Sequence, residues 1–102
     1  LRVQEQGDFF VWNGEEVDIS RRRAHRRILA SLAAAAASGS DRAFDVYELF
    51  EIGWPDDEGT APDVGARRVY TTIRELRDMG LEEVLVTADE GYLLEGVRVE
   101  IV

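Results

Sequence analysis

The alternation of apolar and polar positions changes period along the chain, and each change predicts an element. Leu1, Val3 and Glu5 alternate with Arg2 and Gln4, Gln6-Gly7-Asp8 supplies a turn, and Phe9-Phe10-Val11-Trp12 is a β-rich run. Asn13-Gly14 is the strongest two-residue hairpin signal, and residues 15–19 alternate again, with Val17 and Ile19 inward and Glu16 and Asp18 outward. Residues 1–19 are therefore expected to form an antiparallel β-meander. Three short strands bury little alone, so this sheet must lean on a helix.

From Arg21 to about Ala37 the repeat lengthens to three and four residues. Ala24, Ile28, Leu32 and Ala35 share one stripe, and Arg22, Arg23, Arg26 and Arg27 lie on the far side. Ser20 is placed to cap this helix, and Ser38-Gly39-Ser40 ends it. A second helix has a complete start: Asp45 with Glu48 makes a capping box, and Phe44 with Leu49 makes a hydrophobic staple. It covers Val46 to about Ile52 and stops at Gly53-Trp54-Pro55, with Trp54 as an anchor under the loop. The loop that follows is acidic, with Asp56, Asp57 and Glu58. A metal loop would need Asn, Asp and Gly at fixed spacing, which these residues lack.

The third helix is read over residues 63–80. Asp63 is the expected N-cap and Gly80 the left-handed closing residue. Ala66, Val69, Tyr70, Ile73 and Leu76 form the expected buried stripe, which leaves Arg67, Thr71, Arg74 and Asp78 in an outward row flanked by Arg68 and Glu75. Charged outer faces are the norm for helices. This one also carries what a major groove asks for, since Arg can fork onto guanine and Thr can meet a thymine methyl or a phosphate. Beyond Gly80, residues 84–87 and 92–94 read as strands around Ala88-Asp89-Glu90-Gly91, a hairpin loop whose glycine suits a bulge. Residues 97–102 alternate once more and are expected to pair with the N-terminal sheet.

Composition narrows the function classes. One hundred and two residues make one domain with a modest core, divided as 1–19 meander, 20–80 three-helix core and 81–102 hairpin and final strand. Without cysteine there is no disulfide or thiol chemistry, which fits a reducing, cytoplasmic setting. No apolar run approaches membrane-spanning length and no signal-peptide pattern is present, so no membrane partner is expected. The chain opens on Leu and reads as a piece of a longer protein. A single histidine, His25, is read as a helix-surface residue without a co-ligand, and no glycine-rich phosphate loop occurs; no enzyme, metal or cofactor is expected.

Charge pulls two ways. The formal net charge of −9 opposes non-specific attraction to nucleic acid, yet the acids gather at 41–63 and 82–100 while Arg67, Arg68, Arg74 and Arg77 concentrate on one helix. Arginines in the first turn of the 21–37 helix oppose its macrodipole, at about 0.3–1 kcal/mol each. Their compensation is read either as Glu15, Glu16 and Asp18 on the preceding strand or as a phosphate or acidic partner.

The order of strands, two helices, acidic loop, helix and hairpin matches a winged helix. Arg67-Arg68-Val69-Tyr70-Thr71-Thr72-Ile73-Arg74-Glu75-Leu76-Arg77, an apolar stripe ending in Ile-x-x-Leu-Arg, resembles the recognition helix of OmpR/PhoB-type response-regulator effector domains. Residues 84–94 with Gly91-Tyr92 resemble that family's wing strand, and the stretch from Leu49 to Trp54-Pro55 resembles the helix before its transactivation loop. Asn13-Gly14 matches its hairpin ahead of the first helix. The resemblance covers about four fifths of the chain. It implies an α+β winged helix-turn-helix fold with an N-terminal β-meander, three helices and a C-terminal wing. It also implies DNA binding in transcription regulation, with a receiver domain upstream. Arg67, Thr71 and Arg74 fall where family members touch bases or phosphates, with Arg68 and Thr72 beside them, and Arg77 is read as a structural residue paired to Glu48 or Glu51. Double-stranded DNA is the expected partner, bound by tandem or homodimeric copies. The alternative is a winged-helix module that binds a protein through its acidic loop and wing.

Overall fold

The computed structural model describes residues 1–89 and 91–102. Among the described residues the chain forms seven short strands and three helices, an α+β arrangement. β1 (Arg2–Val3), β2 (Phe9–Trp12) and β3 (Glu15–Asp18) make the expected meander, with Asn13 and Gly14 at φ 52° and 80° in the tight turn. α1 (Arg23–Ala37), β4 (Phe44–Asp45), α2 (Val46–Gly53) and α3 (Pro62–Leu76) follow. A wide π-type turn over Arg77–Leu81 leads to the hairpin β5 (Leu85–Ala88) and β6 (Gly91–Leu94), and β7 (Glu100–Ile101) ends the chain. None of the described helices is long and apolar enough to cross a membrane.

The strands make two sheets. The first has the order β3-β2-β1-β7, antiparallel except that β7 runs parallel to β1, with Arg2 opposite Glu100. The final strand thus joins the N-terminal sheet as its alternation requires, and the Leu1 ammonium donates to the Arg98 carbonyl at 3.0 Å. The second sheet has the order β4-β6-β5, so the two residues just before α2 tie that helix to the hairpin. Gly91 makes this possible. A Cβ there would lie 2.6 Å from the Phe44 carbonyl oxygen, so the close approach of β4 and β6 excludes any side chain. Gly91 is therefore the first residue of β6 rather than a bulge, and the positive φ of the turn falls on Asp89, at 54°. The expected loop residue Glu90 lies outside the described residues.

One apolar core joins both sheets to the helices. Val3, Phe10 and Ile19 of the meander meet Ile28, Leu29, Leu32 and Ala33 of α1, and Leu49, Val69, Ile73, Leu76 and Leu85 continue the cluster. The stripe of α1 is rotated from the expected one: Leu29 and Ala33 are buried, whereas Ala24 and Ala35 are half-buried. The sheet covers a broader face of the helix than one row of residues can fill. α2 carries its capping box as expected, Asp45 accepting from the Glu48 amide at 2.9 Å and Glu48 from the Asp45 amide at 3.2 Å. Leu49 is fully buried, and Phe44 packs on the same core.

Two helix starts differ from expectation. α1 begins at Arg23 with Arg22 at the cap position and no side-chain cap. Ser20 instead donates its hydroxyl and its amide to Asp18 at 2.6 and 2.8 Å, closing the turn out of β3 before the helix starts. α3 begins with Pro62 behind Ala61, so Asp63 sits inside the first turn and faces solvent. Proline suits that position because its fixed φ is helical and its missing N–H would be unpaired there anyway. The other end is as expected in kind: Gly80 adopts φ 121°, which reverses the chain out of the wide turn.

Candidate nucleic-acid interface

α3 crosses the molecule with one face in the core and its opposite face in solvent. The buried positions are Gly65, Val69, Thr72, Ile73 and Leu76. Compared with the expected stripe, Thr72 has turned in and Tyr70 has turned out. Tyr70 is 50% exposed and Thr72 only 3%, with the Thr72 hydroxyl donating to the Arg68 carbonyl one turn back at 2.9 Å. Gly65 explains the rotation. Phe50 of α2 lies against it, with ring carbons 3.0–3.2 Å from where a Cβ would stand, so α2 packs on the face of α3 that holds Gly65, and the buried sector includes it. Phe50 is itself stacked on Trp54 with ring centroids 5.4 Å apart, which makes Trp54 the anchor beneath the loop.

The outward row is Arg67, Thr71, Arg74 and Asp78, all exposed, as the spacing requires. Arg67 reaches Asp63 one turn back at 3.7 Å, a pair whose side chains are 72% and 79% exposed, so it holds the guanidinium weakly. Arg74 makes no ion pair with any described residue. Arg68 is different. It leans off the row and binds the carboxylate of Asp57, which also accepts from the Thr60 hydroxyl. Those two hydrogen bonds hold the Asp57 carboxyl below the usual carboxylate range. Of the five residues expected to touch a ligand, Arg67, Thr71 and Arg74 share the solvent face, Arg68 is restrained at its edge, and Thr72 is removed by burial.

The flanks of α3 are set by residues far away in the chain. On one side Glu75 receives Arg22 at 3.7 Å and His25 Nε2 at 3.2 Å from Oε1, both from the start of α1. His25 is thus wedged between two helices and not on the surface. A groove of about 550 Å³ runs between these elements, lined by His25, Trp54, Arg67, Arg68, Thr71 and Glu75 among others. On the other side Arg77 anchors the hairpin. Its Nε donates to the Leu85 carbonyl at 2.8 Å, a terminal nitrogen donates to the Thr87 hydroxyl at 3.1 Å, and the guanidinium lies 5.5 Å from the Tyr92 ring centroid. Arg77 is structural, but its partner is a strand and not a carboxylate of α2; Glu48 is taken by Arg42.

Neither a scan against protein-family models nor a search of curated proteins returns a match to this chain.

The acids expected to offset the first-turn arginines of α1 also differ. Arg22 meets Glu75 and Arg26 meets Asp8 at 3.7 Å, whereas Asp18 is engaged by Ser20 and has Arg21 nearby. Neither of the two distant pairings has a local sequence signature, and the same holds for Arg68–Asp57 and His25–Glu75. Asp57 is eleven residues from Arg68 and Glu75 is fifty from His25, separations that only the packing of helices closes.

Proposed function

We propose that this chain is a winged helix-turn-helix domain of the OmpR/PhoB type that binds duplex DNA as part of a transcriptional regulator. α3 is the recognition helix, α2 the helix that supports it, and β5–β6 the wing. The observation that carries this reading is the exposed row Arg67, Thr71 and Arg74, framed by the hairpin that Arg77 fastens to the end of the same helix. Arg74, whose guanidinium forms no ion pair with any described residue, is free to fork onto a guanine edge, and the weak Asp63 pair lets Arg67 swing to a phosphate. The N-terminal sheet and α1 pack into the same core as α3 and keep it rigid. With so few cations on the face, each copy neutralises few phosphates, and tandem or dimeric copies supply the remaining affinity.

The test is titration of duplex DNA at low ionic strength, where phosphate attraction is greatest. Arg74→Ala should abolish sequence preference, and Arg98→Ala, in the segment leading into β7, should not. Equal binding by both variants, or no binding by the unaltered chain, sinks the reading.

A second reading, a winged-helix module with a protein partner, is favoured by one observation: Asp57 restrains Arg68 and brings the acidic loop against the face that DNA would occupy. Under that reading the acids of the loop, with the exposed Tyr47 and Tyr70, are the contact surface.

A further inference from the structure

Five of the twelve arginines stand between residues 21 and 27, at the start of α1 and off the recognition helix. Their placement is unfavourable for the isolated domain. α1 has no acidic residue in its first turn and no side-chain cap, so cations crowd the positive end of a helix dipole. Arg22 and Arg26 each find one carboxylate, but Arg21, Arg23 and Arg27 form no ion pair with any described residue. A helix start that is both uncapped and strongly cationic is complementary to an anion from outside the chain.

The position of this patch says which anion. Arg22 touches Glu75 of α3, and the groove beside it is shared with Arg67 and Thr71 of the outward row. A second groove, of about 330 Å³, also reaches Trp54 and is bordered by Arg23 and Arg27 of α1 and by Asp56 and Asp57 of the loop, the Asp57 carboxylate being held by Arg68 and Thr60. Trp54 lines both grooves, so the cationic start of α1 and the exposed face of α3 belong to one continuous surface.

We propose that Arg22, Arg23 and Arg27 form a second, sequence-independent contact for the phosphate backbone of the duplex whose bases α3 reads. The proposal rests on the DNA-binding reading above and extends it: α3 selects the sequence, and the start of α1 holds the strand that leaves the major groove. The backbone phosphates then supply the negative charge that the first turn of α1 lacks. Phosphate contacts of this kind raise affinity for every sequence alike and steepen the salt dependence by about 0.9 per phosphate in the logarithmic slope.

The experiment compares three forms of the chain on a random-sequence duplex and on a duplex selected for tight binding, by fluorescence anisotropy across a salt series. Arg23→Gln/Arg27→Gln should bind both duplexes about tenfold more weakly, with a salt slope shallower by about 2 and an unchanged preference between them. Arg2→Gln/Arg98→Gln removes the same charge from the surroundings of Glu100, where β1 meets β7, and should bind as the unaltered chain does. The first variant should also melt at a slightly higher temperature without DNA, because cations leave the positive end of α1; this shows that weaker binding is not unfolding. Unchanged affinity in Arg23→Gln/Arg27→Gln, while Arg74→Ala loses sequence preference, overturns the proposal and leaves the α3 reading standing. No duplex binding by the unaltered chain overturns both. Poly-glutamate that binds the unaltered chain more tightly than duplex at equal charge concentration, with the binding lost in Arg23→Gln/Arg27→Gln, assigns the patch to an acidic protein surface and also overturns it.

Discussion

Asp57, in the loop between α2 and α3, binds the guanidinium of Arg68 in the second turn of α3 while accepting a second hydrogen bond from Thr60. This contact ties the loop to α3 and withdraws one arginine from the face proposed for DNA. Asp57→Asn removes the charge that restrains Arg68, and duplex affinity should rise several-fold in an anisotropy titration. The same site has a pH signature. The folded-state pKa of Asp57 lies below its ordinary value of 3.8, so its contribution to stability is present above that value and is lost as pH falls through the lowered one. Thermal melts from pH 5 downward should therefore show a smaller loss of stability in Asp57→Asn than in the unaltered chain. Asp18, lowered in the same direction by its two bonds from Ser20, should leave part of the acid loss in place.

Arg77 fastens the hairpin to the end of α3 through Leu85 and Thr87. Arg77→Met should cost about 1.5–3 kcal/mol, the range for hydrogen bonds that involve a charged group. Hydrogen exchange should quicken in β5 and β6 and remain slow in α1. Tyr92 offers a local probe. Its hydroxyl is pushed up from 10.0 by burial and by Tyr70 nearby, and Arg77 acts against that rise. In Arg77→Met the Tyr92 titration should move higher still when followed by NMR.

Thr71 and Thr72 are neighbours in sequence with opposite surroundings, the first exposed and the second buried against the Arg68 carbonyl. Thr72→Val should lower stability by about 1 kcal/mol through the lost hydrogen bond and leave duplex affinity unchanged. Thr71→Val should do the reverse, lowering affinity several-fold at constant melting temperature. Weaker DNA binding in Thr72→Val without a loss of stability would contradict the placement of its hydroxyl.

Gly91 lets β4 pass within contact of β6. In Gly91→Ala the new methyl meets a backbone carbonyl, which cannot move aside as a flexible side chain can. A loss of about 2–3 kcal/mol is expected, toward the upper end for overpacking, measured by urea denaturation. Gly14→Ala, where open space surrounds the position but φ is 80°, should cost less, about 1 kcal/mol.

The parts of the site that were readable in advance are those set by neighbours in the chain. The outward position of Arg67, Thr71 and Arg74 follows from helical spacing alone, and so does the capping box of Asp45 and Glu48. Arg77 was recognisable as structural, but its partner was not, because which strand lies beside it depends on where the hairpin packs. His25 gave no signal, since its partner Glu75 stands on another helix fifty residues away.

Period and local chemistry decided the elements: a meander turned at Asn13-Gly14, a helix rich in arginine at its start, a capped short helix, a long amphipathic helix and a closing hairpin. They did so because side chains two, three or four residues apart meet whatever the rest of the chain does. Tertiary contact decided the rotation of α3, which buried Thr72 and exposed Tyr70 once Phe50 settled against Gly65. It also decided which cations stay free, because an arginine's nearest acid depends on which elements pack side by side, and sequence spacing carries no measure of that distance.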